Sequence, residues 1–256
     1  CIRDRAKDAG VLQPIDNPIL VARIPENLRD KENYWFGLSQ RARVIFYARD
    51  RVDPAELSTY EALADAKWKQ RICIRSSGNI YNQSLVASMI EAHGIEPTEA
   101  WARGLVANFA RKPAGGDTDQ LRAAAAGLCD IAIANTYYFG RLVNSAKDDD
   151  QKVATGLGLF WPNQAGRGAH INVSGAGMTK YASHPAEAER LLEFLVNAES
   201  QTWYAEVNNE YPVVNDAKIS ATLASFGEFK GDGLNLTHLG ENNRSAVQLM
   251  DRAGWR

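Results

Sequence analysis

The apolar run Cys129–Ala134 limits the fold of this chain more than any other stretch. The run is short and is closed by the polar residues Asn135 and Thr136, a pattern that predicts a buried strand of an α/β sheet. Ligands of open α/β sheets bind beyond the carboxyl ends of the strands. Tyr137 and Tyr138 come directly after the run, so we expect two phenols where a ligand would bind.

Two neighbouring phenols are candidate ligands for a hard metal ion. A tyrosine normally loses its proton at about pH 10. A hard trivalent cation lowers that value, because the charge of the ion dominates the local electrostatics, and the phenolate becomes a hard anionic oxygen ligand. An isolated pair such as Tyr137 and Tyr138 more often packs against a helix as apolar surface. The metal interpretation therefore depends on the rest of the chain.

The composition excludes several classes of protein. At 256 residues, the chain exceeds the usual size of one compact core, which predicts one large or two smaller domains. Its 45% apolar and 23% charged residues are ordinary for a globular protein. The formal net charge of −2 gives no support for nucleic-acid binding, and no apolar run approaches the length of a membrane span. We expect neither a nucleic-acid partner nor a membrane span.

The start of the chain and its cysteines bear on the compartment. The sequence opens at Cys1 without an initiator methionine or a signal peptide, which we interpret as a start inside a longer protein. Cys73 and Cys129 each lie in or beside an apolar, strand-like run. If these strands are neighbours, a disulfide can form in an oxidising compartment, while two buried free thiols fit the sequence equally well.

The order of the predicted elements favours an α/β fold. Strands are predicted at 34–38, 43–47, 71–75, 129–134, 158–161 and 170–174. Helices are predicted at 80–93, 99–110, 119–127, 185–197 and 244–253, and 147–150 is predicted as a charged loop. Because strands and helices alternate from about residue 43 to about residue 175, we predict βαβ units and a sheet rich in parallel pairs.

A second candidate feature is the segment Ser76–Asn79, which lies between a predicted strand and a predicted helix. Free backbone N–H groups and the helix dipole favour an anion there, although a plain capping turn is the more common use of such residues. Tyr81 lies in the first turn of the helix and could project into the same crevice. Arg41 and Arg43 alternate with apolar residues, and either supply positive charge to a bound anion or lie on a solvated strand face.

Signatures of an enzyme are missing from the sequence. No Gly-x-Ser-x-Gly elbow is present, and Gly175–Lys180 lacks the order and spacing of a phosphate-binding loop. No i, i+4 histidine pair, and hence no zinc site, can be recognised among His93, His170, His184 and His238. Because no base or nucleophile can be identified, we expect a binding protein and not an enzyme.

Taken together, these segments resemble the periplasmic ferric-ion-binding proteins of bacterial ABC iron importers, in their tyrosine-rich branch. The segments that carry the resemblance are 35–47, 68–84, 134–138, 172–177 and 210–213. The resemblance implies an α/β fold of the type II periplasmic binding-protein kind, with two lobes joined by hinge strands and Fe(III) held in the interlobe cleft. The implied lobes are 1–46 plus 168–213 and 47–167 plus 214–256, with hinge strands near 43–48 and 165–172.

The resemblance also implies the binding residues. Tyr137 and Tyr138 match the paired tyrosine ligands of the family, and Tyr81 matches the further tyrosine of the tyrosine-rich branch. Carbonate or another synergistic anion is expected to complete the coordination. The residues expected around that anion, or behind the ligands, are Ser77, Gly78, Asn79, Asn135, Arg41 and Arg43.

The implied partner is an inner-membrane ABC permease, and the implied protein is a periplasmic monomer. Members of the family begin with a strand and a helix that carry further ligands, and that portion is not present in this sequence. We therefore expect the first lobe to be incomplete at its N-terminus, with the signal peptide lost together with the missing portion.

Two alternatives stay open. The first is a type II binding protein for another small solute, such as a polyamine, thiamine or an oxyanion. The second is an enzyme on the same fold, for instance a transferase that uses an anion site at Ser77–Asn79. Three tyrosines aimed at one cleft fit neither a polyamine site nor an oxyanion site well, and the enzyme alternative has no identifiable base or nucleophile.

Overall fold

The computed structural model describes residues 2–256, with side chains from Asp4 onward, and Cys1 lies outside the described residues. The strands are β1 Leu12–Gln13, β2 Phe36–Ala48, β3 Ile72–Cys73, β4 Ile131–Asn135, β5 Leu157–Phe160, β6 Ile171–Ala176 and β7 Met178–Thr179. The α-helices of the first half are α1 Ile2–Asp8, α2 Pro18–Arg23, α3 Ile80–His93, α4 Ile95–Ala107 and α5 Asp117–Ala125. Those of the second half are α6 Thr136–Val143, α7 Asp148–Gly156, α8 Pro185–Leu195, α9 Ala198–Asn208, α10 Ala221–Ser225, α11 Thr237–Glu241 and α12 Asn243–Arg252. Short 3₁₀ helices lie at Glu26–Leu28, Pro54–Glu56, Glu61–Ala64 and Ala66–Trp68.

Strand β2 is the central strand of the fold and pairs with β4, β5 and β6. The sequence predicts two separate strands at 34–38 and 43–47, but one continuous strand of 13 residues is formed. The polar segment between them stays in the strand because its backbone is paired: the N–H of Gln40 donates to the carbonyl of Tyr211 at 2.8 Å, and the N–H of Tyr211 donates back at 2.7 Å. A buried backbone needs such partners wherever it runs.

The two halves of β2 have different neighbours. Over 36–42 the strand pairs antiparallel with β6. Over 43–48 it pairs antiparallel with β4 on one side and with β5 on the other. The change of partner therefore falls between Ala42 and Arg43, beside the segments predicted as hinges.

The prediction of a parallel-rich sheet is wrong. Among the named strands of residues 2–256, β3 and β4 form the one parallel pair, with Ile72 opposite Ile131 and Cys73 opposite Ala132. The remaining pairs of the main sheet are antiparallel because β2 runs between β4 and β5 in the opposite direction. Alternation of strands and helices along the chain does not reveal the direction of a strand inserted from a distant position.

The helices agree with the sequence predictions more closely than the strand directions do. Helix α3 spans the predicted residues 80–93, with Asn79 as its N-cap. The predicted loop at 147–150 is instead the beginning of α7, where Asp148, Asp149 and Asp150 lie in the first turn. Carboxylates are favoured there because they interact with the positive end of the helix dipole.

A disulfide joins Cys73 of β3 to Cys129, just before β4, with the two Cα atoms 5.9 Å apart. The structure thus decides between the two interpretations that the sequence leaves open. Disulfides persist in oxidising compartments. The bond connects the two strands whose carboxyl ends lead toward Tyr81 and Tyr137.

The main core contains buried side chains of β2, β3, β4, α3 and α4, together with Trp35, Trp68 and Trp255 from outside these elements. A second cluster packs between the other face of the sheet and α5 and α6, around Phe46 and Phe139. Within the described residues, no helix has both the length and the apolar character that a membrane crossing requires.

Candidate metal centre

The carboxyl ends of β3 and β4 position the candidate site. Strand β4 leads directly into α6, which carries Tyr137 and Tyr138 in its first turn. Strand β3 leads through a short turn into α3, which carries Tyr81 in its first turn. Because the two strands are parallel neighbours, their carboxyl ends lie at one edge of the sheet, where ligands of α/β sheets bind.

The three tyrosines form one cluster. The hydroxyl oxygens of Tyr81 and Tyr137 lie 3.0 Å apart and share a hydrogen bond. The rings of Tyr137 and Tyr138 lie against each other, with centroids 4.2 Å apart. Tyr137 is 6% exposed, whereas Tyr81 and Tyr138 are half-buried. Tyr81 and Tyr137 are 56 positions apart in the sequence, yet their hydroxyls share a hydrogen bond. The three predicted metal ligands are therefore neighbours in space.

The environment keeps the phenols of Tyr137 and Tyr138 neutral when no cation is present. Burial raises the pKa of Tyr137 far above its ordinary value, and hydrogen bonds with the phenols of Tyr138 and Tyr81 raise it further. Burial also raises the pKa of Tyr138. A bound trivalent cation would reverse this balance, because its charge stabilises the phenolate.

Guanidinium groups surround the ring of Tyr81. The central carbons of Arg41, Arg43 and Arg75 lie 5.7, 6.0 and 5.8 Å from its centroid. Arg41 and Arg43 are predicted site residues, whereas sequence reasoning misses Arg75. The position of Arg75, at the carboxyl end of the strand predicted at 71–75, is the signal that could have identified it.

Arg141 is a further site residue that sequence reasoning misses. Its guanidinium carbon lies 5.1 Å from the ring centroid of Tyr137 and 5.7 Å from that of Tyr138. These distances are typical of cation–π contacts. Arg141 follows the two tyrosines by four and three positions on α6, so it lies on the same helix face. The sequence would have indicated this contact if 136–143 had been predicted as a helix.

Arg43 is held from behind by a buried carboxylate. Its Nη1 donates to Asp117 Oδ2 and to Asn135 Oδ1, at 3.0 Å in each case. Its Nη2 donates to Asn82 Oδ1 at 2.7 Å. Asp117 also accepts the backbone N–H of Asn135 at 2.8 Å, where α6 begins. Arg43 and Asn135 therefore support the tyrosine helix from the protein interior, and nothing in the sequence indicates the part that Asp117 takes.

The predicted anion segment forms a turn in front of α3. The side chain of Asn79 accepts the backbone N–H of Tyr81 at 3.1 Å, and the carbonyl of Ser77 accepts from Gln83 at 2.9 Å. Arg41 lies at the edge of the same region, where it donates to Ser174 Oγ at 2.6 Å. Ser77 and Gly78 form the turn itself.

The chemistry of the donors selects the ligand class. Within the described part of the chain, no group of three or more histidine, cysteine, aspartate or glutamate side chains is arranged to hold a metal ion. The cluster instead offers three phenol oxygens, which become hard anionic donors on deprotonation. Such a set suits a small, highly charged cation.

Comparisons with known proteins agree with this geometry. The model of the family described as bacterial extracellular solute-binding protein matches residues 2–225. Iron uptake protein A2 of Synechocystis is 50% identical over 254 residues, which are 98% of this chain and 73% of that protein.

Two solved structures extend the comparison. Trichodesmium FutA in complex with iron and citrate has a TM-score of 0.97 and 53% identity, over 99% of this chain and 80% of the other. The ferric binding protein of Campylobacter jejuni has a TM-score of 0.94 and 40% identity, over 98% and 80% of the two chains. The prediction of the type II binding-protein fold is confirmed by these matches. The chain belongs to the bacterial extracellular solute-binding protein family.

Proposed function

We propose that this protein is a solute-binding protein that captures Fe(III) through the phenolates of Tyr81, Tyr137 and Tyr138. The observation that carries the proposal is the convergence of three phenols in one cluster, with the hydroxyls of Tyr81 and Tyr137 3.0 Å apart. Proteins similar to this chain are named as an iron uptake protein and as ferric binding proteins. Three phenolates would match the triple charge of Fe(III), and phenolate oxygen is a ligand that suits a hard cation.

Binding would release protons. Since burial raises the pKa of Tyr137 and of Tyr138, both are protonated at neutral pH before the ion arrives. Each phenol that becomes a ligand must lose its proton. The guanidinium groups of Arg75 and Arg141 lie 5.8 and 5.1 Å from the ring centroids of Tyr81 and Tyr137, so they add positive charge around the cluster.

An anion would complete the coordination. The turn at Ser77, Gly78 and Asn79 precedes the positive end of α3, and Arg41 adds charge beside it. Carbonate or another synergistic anion would be held by the N–H groups of this turn and would supply further oxygen donors to the ion. The relative from Trichodesmium was solved with iron and citrate, which supports an oxygen-rich anion at such a site.

We propose that the cleft lies between lobes 1–46 plus 168–213 and 47–167 plus 214–256, and that the ion binds as the lobes close. The change of partner along β2 at Ala42 and Arg43 supports hinge segments near 43–48 and 165–172.

The proposed destination of the ion is an ABC permease in the inner membrane, reached from the periplasm. Membership of an extracellular solute-binding family supports this route. The disulfide between Cys73 and Cys129 agrees with an oxidising compartment. We propose a monomer that acts without nucleic acid.

A cationic solute such as a polyamine fits the site poorly. Four arginines lie within about 6 Å of the three aromatic rings, so the pocket would repel an organic cation. Fe(III) differs because it converts the phenols into anions. The arrangement favours a metal ion bound together with an anion over a polyamine or thiamine.

A visible absorption titration with ferric citrate tests the proposal. Wild-type protein should develop a saturable phenolate-to-iron charge-transfer band. The band should be lost or shifted in Tyr137→Phe and in Tyr138→Phe. Tyr181→Phe is the matched control, because Tyr181 is 86% exposed and lies outside the cluster. A folded wild-type protein that gives no band would overturn the iron assignment.

A further inference from the structure

Helix α3 carries a polar stripe behind Tyr81. Ser84 and Ser88 follow Tyr81 by three and seven positions, so the three residues share one helix face. Both serines are almost completely buried. Buried hydroxyls are normally retained where they make specific hydrogen bonds, because an unpaired buried polar group is costly.

The hydroxyl of Ser84 bonds to the segment that ends at the change of partner in the sheet. It accepts from Nδ2 of Asn172 on β6 at 2.7 Å. It also hydrogen bonds with Nε2 of His170 at 2.9 Å. Asn172 lies opposite Arg41 in the ladder between β6 and β2. Ser84 thus links α3 to His170 and Asn172, which lie beside the point where β2 changes its partner.

The backbone at His170, to which Ser84 bonds, is held in place by further hydrogen bonds. The backbone N–H of Arg43 donates to the carbonyl of His170 at 3.0 Å. The buried hydroxyl of Tyr60 accepts the backbone N–H of His170 at 2.9 Å and donates to the carbonyl of Arg43. Tyr60 therefore holds the backbone at Arg43 and the backbone at His170 together at the proposed hinge. Ser84 links His170 in turn to α3, the helix that carries Tyr81.

We propose that Ser84 is a positioning residue for the metal site, which couples the position of Tyr81 to the hinge through His170 and Asn172. This inference rests on the proposed function, since it concerns how one proposed ligand is held. Tyr81 lies one helical turn from the contact, so bending at the hinge is transmitted to its hydroxyl over a short, rigid path. Without the contact, Tyr137 and Tyr138 keep their places while Tyr81 loses its fixed distance from the opposite lobe.

The test compares Ser84→Ala with Ser88→Ala. Both changes remove one buried hydroxyl from the same face of α3, but the hydroxyl of Ser88 donates to the carbonyl of Leu85 within its own helix. Its contact outside the helix is a long hydrogen bond of 3.4 Å from Nη1 of Arg167, and that guanidinium is held by Asp232 at 2.9 Å. We expect Ser84→Ala to weaken Fe(III) binding by about tenfold, the contribution of one buried hydrogen bond, and to speed iron release. Ser88→Ala should lower the thermal midpoint to a similar degree and leave iron affinity unchanged.

Asn172→Ala removes the same hydrogen bond from its other partner, on β6. It therefore distinguishes loss of this bond from a packing defect at Ser84. It should weaken iron binding to a similar extent, and the double variant with Ser84→Ala should be no weaker than either single variant. Affinity is measured by competition with citrate, and release by the decay of the charge-transfer band after addition of a chelator.

Two outcomes are separable. If wild type binds iron and Ser84→Ala loses only stability, with unchanged affinity and release, the inference is overturned while the proposed function stands. If wild type binds no iron, the proposed function fails, and this inference falls with it. Additive effects of Ser84→Ala and Asn172→Ala would also overturn the coupling.

Discussion

The guanidinium of Arg43 lies 3.0 Å from the carboxylate of Asp117, and neither side chain is more than 1% exposed. This pair supports the start of the helix that carries Tyr137 and Tyr138. Removing one partner of a buried ion pair leaves an uncompensated charge in the interior. The pair therefore matters more for stability than any of the exposed ion pairs.

We expect Asp117→Asn to lower the free energy of unfolding by about 3–5 kcal/mol. Urea denaturation of the apo protein measures it. Asp149→Asn is the control, because the carboxylate of Asp149 is 93% exposed and its pairing with Lys152 contributes at most about 1 kcal/mol. If both variants lose the same free energy of unfolding, the buried charge of Asp117 does not contribute to stability.

Acid should promote iron release. Because the pKa values of Tyr137 and Tyr138 are raised in the apo protein, each ligating phenol gives up a proton on binding and takes it back on release. Affinity should therefore fall by about tenfold per pH unit for each proton exchanged. Competition with a chelator between pH 6 and pH 8, roughly the range where the phenols stay protonated in the apo state, measures the slope. Tyr138→Phe should reduce the slope by one proton, and an unchanged slope would argue against ligation by Tyr138.

The apo protein should lose stability in acid through His170. Burial lowers the pKa of this side chain from 6.5 to about 3, and the charges of Arg167, Arg43 and Arg41 act in the same direction. The unfolded state therefore binds a proton that the folded state does not, so the free energy of unfolding falls as the pH drops from 6.5 toward 3. The expected slope from this group is about 1.4 kcal/mol per pH unit.

Urea denaturation at several pH values compares wild type with His170→Gln. The variant cannot titrate at this position, so its stability should change less steeply over the same range. Matching slopes would assign the acid sensitivity to other groups.

The disulfide should stabilise the sheet edge that carries the tyrosines. It closes a loop of 56 residues between Cys73 and Cys129. The chain-entropy model gives about 4 kcal/mol for a loop of this size. We expect the double variant Cys73→Ala, Cys129→Ala to be less stable by roughly that amount in urea denaturation.

Wild type treated with a thiol reductant under mildly denaturing conditions is the companion measurement for the disulfide. It should approach the stability of the double variant. A double variant as stable as oxidised wild type would show that packing of β3 on β4 suffices without the bond.

The parts of the site that could be predicted from the sequence depend on local signals. Tyr137 and Tyr138 follow a short apolar run, and Tyr81 follows a capped turn, so each position beyond a strand end can be recognised alone. The structure brings all three together because β3 and β4 are parallel neighbours. The sequence suggested each tyrosine, but their convergence needed the family resemblance or the structure.

The parts that could not be predicted depend on distant partners. The direction of β2 is set by strands that lie 80 or more residues later, and no local pattern encodes it. The same is true of Asp117, which meets Arg43 across 74 positions. Arg141 was missed for a different reason: 136–143 is short, and its helical period could not be separated from the end of the preceding strand.

The long strand β2 also has a consequence for how the chain folds. Its 13 residues are synthesised before the strands that pair with them, which lie between residues 131 and 176, and before Tyr211, which pairs with Gln40. Non-local pairing of this kind slows folding, because the entropy of closing long loops is lost before the contacts form. Since the same strand completes both halves of the sheet, neither half can reach its native state alone, and the molecule is expected to fold as one slow, cooperative unit.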